Sequence, residues 1–482
     1  MFRRGLIGYL PANIVQAVVG LLTIVVFTRL LTPEQYGGYA LALTAMTLAH
    51  TTLFTWTEAA MARFQARSTE RGEGADHLAT LLRAFAVLAV VFPAIAAVAV
   101  WRVPMAPPLK LAVAAGMAAV IFRSLLKLAQ ERRRADGAVM SASALDMAQT
   151  AGGFAIGAAA IGLGAGAAGP MLGFALAAVL CLVFALPRDL ALARGGRVET
   201  ARLAEYARYG LPVALSLILA LVISATDRFL LAAFLDATAV GVYHAGYSLA
   251  NRTLDVMFIW LGMAGGPALV AALERGGRPA LEASAREQAS LMILLTLPAA
   301  VGVALVARPL AEVMVGEALV AGAAHVTPWI AVGAFCSGVT TYYLHQAFTL
   351  GRRTSLLFAA MTVPAGANLL ANIVLIPRFG IEGAMWATAG SYGLGALASF
   401  ALGRQAMPLP VPLDVIWRAG LACVAMAFAV SRVPAFGGLA ELILKAGAGA
   451  AVYGAAVIAL DAGGARRRGA GLLMGLRGRF AT

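Results

Sequence analysis

Apolar runs recur along the whole chain, each closed by charged residues or by Pro and Gly, with no long polar segment between them. Crossing a hydrocarbon core as a helix takes roughly 20 such residues. The runs predict helices near 7–30, 37–62, 78–101, 108–131, 138–163 and 168–187, then 210–235, 240–264, 287–308, 326–350, 354–376 and 380–403, with two more near 413–431 and 439–460. The expected fold class is therefore an all-α polytopic membrane protein of about 14 transmembrane helices. Its expected parts are an N-terminal six-helix lobe at 1–187, a cytoplasmic linker at 188–209 and a second six-helix lobe at 210–405. Residues 406–482 would add two helices and a basic tail.

Polar residues inside the runs fall in register. Thr44, Thr47, Thr51 and Thr55 recur at helical spacing on the second predicted helix, and Asn13, Gln16, Gly20 and Thr23 on the first. The chain also repeats itself. LTPEQYGGY at 31–39 matches LDATAVGVY at 235–243 through Leu31/Leu235, Gly37/Gly241 and Tyr39/Tyr243, and GAAGPM at 166–171 matches GIEGAM at 380–385. The offsets are 204 and 214 residues, so the second half carries about ten extra residues between them. The first offset sets Ser248, Asn251 and Asp255 on the eighth helix at the places of the threonines, with His244 and Arg252 on the same face. Ser224 and Asp227 occupy equivalent places on the seventh. Two lobes in one orientation with matching polar faces predict a water-accessible lumen between them, and internal repeats of this kind point to a transporter. Helix–helix hydrogen bonding is the alternative for the hydroxyl stripes.

Composition agrees. The 482 residues are 61% hydrophobic and only 12% charged, too few charges to cover a soluble protein of this length. The net charge of +14 does not form one basic patch of the kind that nucleic acid needs. With both ends cytoplasmic, the interior loops and termini hold 24 arginines, among them Arg3, Arg63, Arg132, Arg133, Arg197, Arg352 and Arg466, against six basic residues outside: Arg29, Arg102, Lys110, Arg308, Arg378 and Arg432. That bias predicts cytoplasmic termini and an even helix count. The run behind Arg3 and Arg4 is too long for a signal-peptide core and is expected to stay as the first helix. The 188–208 loop is expected to carry a short amphipathic helix from Glu199, with Leu203 and Tyr206 on one face. Cys181, Cys336 and Cys423 are dispersed in apolar stretches, so neither a disulfide nor a metal site is expected.

FTRLLTPEQYGGYALA at 27–42, ATDRFLLAAFLDATAVGVYHAGYSLANR at 225–252 and NLLANIVLIPRFGIEGAMWATAGSY at 368–392 resemble the polysaccharide flippases. These are the O-antigen-translocase type of the multidrug/oligosaccharidyl-lipid/polysaccharide exporter superfamily. The resemblance implies a two-lobe helical transporter of the bacterial inner membrane that moves undecaprenyl-pyrophosphate-linked oligosaccharide to the periplasmic leaflet, for O-antigen, capsule, exopolysaccharide or adhesive. A polymerase and export machinery are the partners it implies, with the bilayer itself; nucleic acid is not one.

Such a substrate needs fixed cations at depth for its pyrophosphate and hydroxyl or amide groups for its sugars. Charges inside a span cost about 2.5–3.5 kcal/mol each on insertion scales, which makes them functional candidates. The substrate-binding candidates are Arg252, Asn251, His244, Arg123, Lys127, Thr47, Thr51 and Gln16. Arg252 either binds the anion or pairs with Asp255, and Arg123 and Lys127 either receive the pyrophosphate or snorkel to the interface. Asp255, Asp227, Asp146 and Glu58 are the candidates for coupling to H+ or Na+; no cofactor is expected. Asp227 with Arg228 also reads as a local structural pair, and Asn368 with Asn372 as helix packing. A lipid II flippase and a multidrug exporter are alternatives within the superfamily. A membrane polymerase or ligase is the rival of another class, against which stand the short outer loops and the absence of a nucleophile elbow, zinc motif or Walker loop. Gly164, Gly166 and Gly169 match a dinucleotide fingerprint by spacing alone, without the preceding strand.

Overall fold

The computed structural model describes residues 2–466, and these are helical almost throughout, with no strand among them. The first unit contains α1 (Phe2–Leu30), α2 (Pro33–Leu53), α3 (Thr55–Glu70), α4 (Gly74–Arg102), α5 (Pro107–Ala135), α6 (Val139–Ala160), α7 (Gly169–Ala193) and α8 (Thr200–Phe234). After them come α9 (Ala237–Leu305), α10 (Ala307–Met314), α11 (Glu317–Val339), α12 (Gln346–Leu350), α13 (Thr354–Phe379), α14 (Ile381–Ala406), α15 (Leu413–Ser431) and α16 (Gly438–Ala459). Ten stretches among the described residues are long and apolar enough to cross a bilayer. Two of these reverse direction at glycines, and α2–α3 and α14 are longer than their polarity suggests, so the fourteen expected helices are all present.

Local sequence explains where these rods begin and bend. Thr32 caps α2: its Oγ1 accepts from Gln35 N at 3.2 Å while Gln35 Oε1 accepts from Thr32 N at 3.2 Å, and Pro33 fills the first turn, where no N–H is needed. The rod expected at 37–62 breaks at Phe54, whose backbone leaves the helix and whose buried ring packs 5.0 Å from Phe85 and 6.1 Å from Phe92. α9 reverses at Gly277 (φ 64, ψ −156), bringing Gly265 against the Gln288 side chain. The α6–α7 reversal runs through a π turn at Ile161–Ala165 and then Gly166.

Contacts divide the chain into two compact units, Met1–His244 and Ala245–Thr482. In the first, α6 packs on α7 and α1, α5 on α2 and α7, and α8 on α3 and α2. In the second, α14 packs on α13 and α11, and α10 and α15 pack on α16 and its neighbours. The loop expected at 188–208 is corrected to 194–199: α7 continues to Ala193, and the segment from Thr200 is the first turns of α8 rather than a separate surface helix. Tyr206 is buried there because its hydroxyl meets His77 Nδ1 at 2.5 Å. The join between α7 and α8 therefore lies inside the first unit.

The repeated motifs adopt repeated geometry. Gly166 (φ 51, ψ −136) and Gly380 (φ 62, ψ −135) share one left-handed backbone conformation, which side-chain-bearing residues rarely take. At the matched Gly169 and Gly383, a Cβ would press on the backbone eight residues earlier, Ile161 N at 3.0 Å and Leu375 O at 2.4 Å. Gly37 and Gly241 meet each other inside the first unit: a Cβ on Gly37 would strike Ala237 O at 1.7 Å, and one on Gly241 would strike Pro33 O at 2.2 Å. Residues 33 and 237 are themselves one repeat offset apart, so this crossing is nearly symmetric.

At one end of the first unit Asp189 accepts from two buried arginines. Arg132 Nη2 lies 2.8 Å from Oδ1 and Arg133 Nη1 3.1 Å from Oδ2, while Arg132 Nη1 reaches Asp136 Oδ2 at 2.6 Å. Two of the arginines assigned to an interior loop are thus structural clasps between α5 and α7.

Candidate functional site

Arg123 stands on α5 about 18 Å from the helix's Ala135 end at 1.5 Å per residue. Its guanidinium lies 4.9 Å over the Phe174 ring on α7, and Nη1 points to Met46 Sδ at 3.4 Å. No carboxylate lies within ion-pair distance of it among the described residues, although Asp146 and Glu58 are near enough to feel its charge. Lys127, one turn along, has no ion pair or hydrogen bond among the described residues. An uncompensated pair of cations at this depth is costly unless a ligand completes it.

The first unit also gathers polar groups from five helices, of which Asp146 and Glu58 lie near enough to Arg123 to act on its charge. Gln16 Nε2 on α1 donates to Asp146 Oδ2 on α6 at 2.5 Å, and Arg134 Nη2 lies 3.9 Å from the same oxygen. His50 on α2 bridges Ser124 Oγ on α5 at 2.7 Å and Glu58 Oε1 on α3 at 3.4 Å. The Glu58 contact is not aligned as a hydrogen bond, so that buried oxygen keeps a free lone pair. Thr47 is satisfied by its own helix, donating to Leu43 O at 2.8 Å, as Thr44 does to Ala40 O at 2.7 Å. Those hydroxyls are available mainly as acceptors. Thr51 sits one turn further on the same helix.

Asp227, Arg228, Tyr243 and His244 form a second hydrogen-bonded group. Tyr243 Oη donates to Asp227 Oδ2 at 2.6 Å and Arg228 N to Oδ1 at 2.8 Å, and Arg228 also reaches His244 Nδ1 at 3.3 Å. His244 lies against the Tyr36 and Tyr39 rings, 5.5 and 6.2 Å away. Asp227 is fully enclosed, and these bonds satisfy it as the structural pair expected beside Arg228.

In the second unit Arg252 is exposed and forms no ion pair among the described residues; its expected pairing with Asp255 is absent. Asp255 instead receives Asn251 Nδ2, one turn earlier, at 3.5 Å. Tyr342 stacks 6.1 Å from Phe258 and lies over Gly262. It belongs to a π turn at Thr340–Leu344, and its carbonyl, freed from the helix ladder, accepts from Gln288 Nε2 at 3.3 Å. Asn368 and Asn372 are buried in a chain, Asn372 donating to Asn368 at 3.0 Å and Asn368 to Ser391 Oγ at 3.1 Å, as expected for helix packing. Among the described residues no three His, Cys, Asp or Glu side chains converge as a metal site requires.

Residues 26–321 match the model of the polysaccharide biosynthesis protein family. This chain is a member of that family. No curated protein sequence matches it. Its fold is that of a lipid II flippase MurJ in an inward closed conformation, with a TM-score of 0.77 at 12% identity over 94% of this chain and 98% of the other. An inward-facing multidrug resistance MATE family transporter of the MOP superfamily aligns with a TM-score of 0.63 at 14% identity, over 81% of this chain and 97% of the other. An outward-facing one gives 0.56 at 16% identity, over 83% and 93%. The family and fold expected from the three quoted stretches are therefore those found.

For a polysaccharide biosynthesis protein of this fold, the polar cluster of the first unit is the notable feature. Four sequence-predicted residues, Gln16, Glu58, Arg123 and Asp146, come together in it. His50 and Ser124 were not foreseen. A lone histidine in a threonine-rich helix carries no pattern of its own, and its two partners are 8 and 74 residues away.

Proposed function

We propose that this chain flips undecaprenyl-pyrophosphate-linked oligosaccharide from the cytoplasmic to the periplasmic leaflet of a bacterial inner membrane. The observation that carries this proposal is the pair Arg123 and Lys127, one turn apart on α5 and without an ion pair among the described residues, in the unit that also holds the Gln16–Asp146 and His50–Ser124 hydrogen bonds. A pyrophosphate supplies the negative charge this pair lacks, and Arg grips phosphate oxygens through two parallel hydrogen bonds. Wherever the effective dielectric is below that of bulk water, this attraction is stronger than at a surface. Hydroxyl, amide and imidazole groups beside it suit the sugar hydroxyls of the attached glycan. Arg252 is a second free cation for the same chemistry in its own unit.

Coupling to H+ or Na+ is assigned here to Asp146 and Glu58. Asp146 accepts from Gln16 and has Arg134 only at 3.9 Å, and Glu58 faces His50, so neither carboxylate is held by a short arginine bond. Asp227 is set aside as a coupling group, because both of its carboxylate oxygens already accept hydrogen bonds, from Tyr243 Oη and Arg228 N.

A strain lacking its own flippase tests the proposal. Expression of this chain together with the glycosyltransferases of one polymer restores surface polymer if the substrate is that lipid-linked glycan. Rescue only of cells depleted of their lipid II flippase moves the substrate to lipid II. Protection against cationic drugs, with neither rescue, makes it an exporter.

A further inference from the structure

The turn after α3 and the first turns of α8 enclose a pocket of about 220 Å³ that the transport site does not use. It is lined by Phe64, Arg67, Ser68, Arg71, Glu73, Arg202, Glu205 and Tyr206. At about 30 Å³ per water it holds roughly seven waters, enough for a phosphate with its linking atoms and too little for an oligosaccharide. Phe64 and Tyr206, their rings 5.1 Å apart, make an apolar wall.

The charges of the lining do not cancel. Arg202 is committed to Glu73 at 2.9 Å and Glu199 at 2.6 Å, and Arg67 to Glu205 at 3.5 Å. Arg71 has no acidic partner among the described residues, and the buried Ser68 has no hydrogen bond from its hydroxyl there. One free guanidinium and one free hydroxyl thus share a small pocket with an apolar wall. An anion with several acceptor oxygens accepts from both and is attracted by the exposed Arg71, whereas a cation is repelled by it and a neutral sugar gains no charge attraction.

The pocket lies at the arginine-rich ends of α3 and α8, the helix ends where spans leave the bilayer. The phosphate that reaches such a place in quantity is carried by a lipid. We infer that this pocket binds the phosphate of an anionic lipid headgroup, with Arg71 and Ser68 as the direct contacts and Arg67 as a third when Glu205 releases it. The inference is independent of the transport reading, since it concerns binding to residues outside the Arg123 cluster.

Native mass spectrometry of the purified full chain tests it, with dioleoyl phosphatidylglycerol as probe and diacylglycerol as the phosphate-free control. The expected result is selective phosphatidylglycerol binding, weakened about tenfold by Arg71→Gln and by Ser68→Ala, and tightened by Glu205→Gln, which frees Arg67. Arg71→Gln and Glu205→Gln alter exposed side chains, so their folding is secure, and opposite effects from them cannot come from misfolding. Farnesyl diphosphate distinguishes the lipid source: displacement of phosphatidylglycerol extends the site to polyprenyl phosphates, and no displacement restricts it to phospholipid. Equal binding of diacylglycerol, or unchanged phosphatidylglycerol binding in both Arg71→Gln and Glu205→Gln, overturns the inference.

Discussion

Arg123 concentrates the energetic argument at the scale of single residues. An embedded guanidinium held by a ring face and a thioether sulfur, with Asp146 and Glu58 nearby but outside ion-pair distance, gains little stability for its burial, so removing it should not harm folding. Arg123→Ala is expected to accumulate at least as well as wild type while abolishing surface polymer, and Arg123→Lys is expected to restore part of it by keeping charge without the fork. Quantitative immunoblots beside polymer staining check both. Arg252 behaves alike: with no pair to Asp255, Arg252→Ala should leave protein level unchanged, and neutralising Asp255 as well should change nothing further. A drop in level that the double change repairs would restore the ion pair. Arg123, Gln16 and Asp146 were each legible in the sequence, because a polar side chain in an apolar run is conspicuous. Their meeting was not, since Gln16 and Asp146 are 130 residues apart and no local pattern encodes the contact.

Elements were read well where apolar length decides and poorly where backbone detail does. All fourteen helices were visible as apolar runs, but the break at Phe54 and the π turns at 161–165 and 340–344 were not. Those features depend on packing against distant helices, and TTYYL looks like any helical segment. The first pair of repeat motifs carries a steric requirement, because Gly is the residue that permits the crossing of Gly37 with Gly241. Gly37→Ala places a Cβ 1.7 Å from Ala237 O and should lower the melting temperature, an overpacking cost of about 1–3 kcal/mol or more. Gly366→Ala meets open space and is the matched control. The Asp189 clasp makes a larger prediction: Asp189→Ala leaves buried Arg133 with backbone carbonyls alone and Arg132 with Asp136 alone, and should cost about 3 kcal/mol, seen as loss of detergent-stable protein. The expected amphipathic helix at 188–208 went wrong because an apolar face near Tyr206 signals burial equally well when the face packs within a long helix.

The whole molecule is a multi-pass membrane protein with the fold of lipid and drug transporters and a polar, cation-bearing interior in its first unit. Its orientation rests on the arginine bias, and labelling tests it. In a chain freed of Cys181, Cys336 and Cys423, Val198→Cys is expected to resist an impermeant maleimide in intact spheroplasts, while Ala106→Cys reacts. Reaction at Val198→Cys would invert the topology. The central claim is movement of a lipid-linked glycan by the Arg123 and Lys127 pair. Its most direct test is a proteoliposome assay in which an impermeant glycosidase trims only outward-facing polyprenyl-pyrophosphate-linked oligosaccharide. Wild-type protein should bring nearly all of the substrate within reach, whereas the Arg123→Ala, Lys127→Ala double variant should leave about half protected, as protein-free vesicles do. Full trimming with the double variant, or half protection with wild type under an imposed H+ or Na+ gradient, would contradict the account.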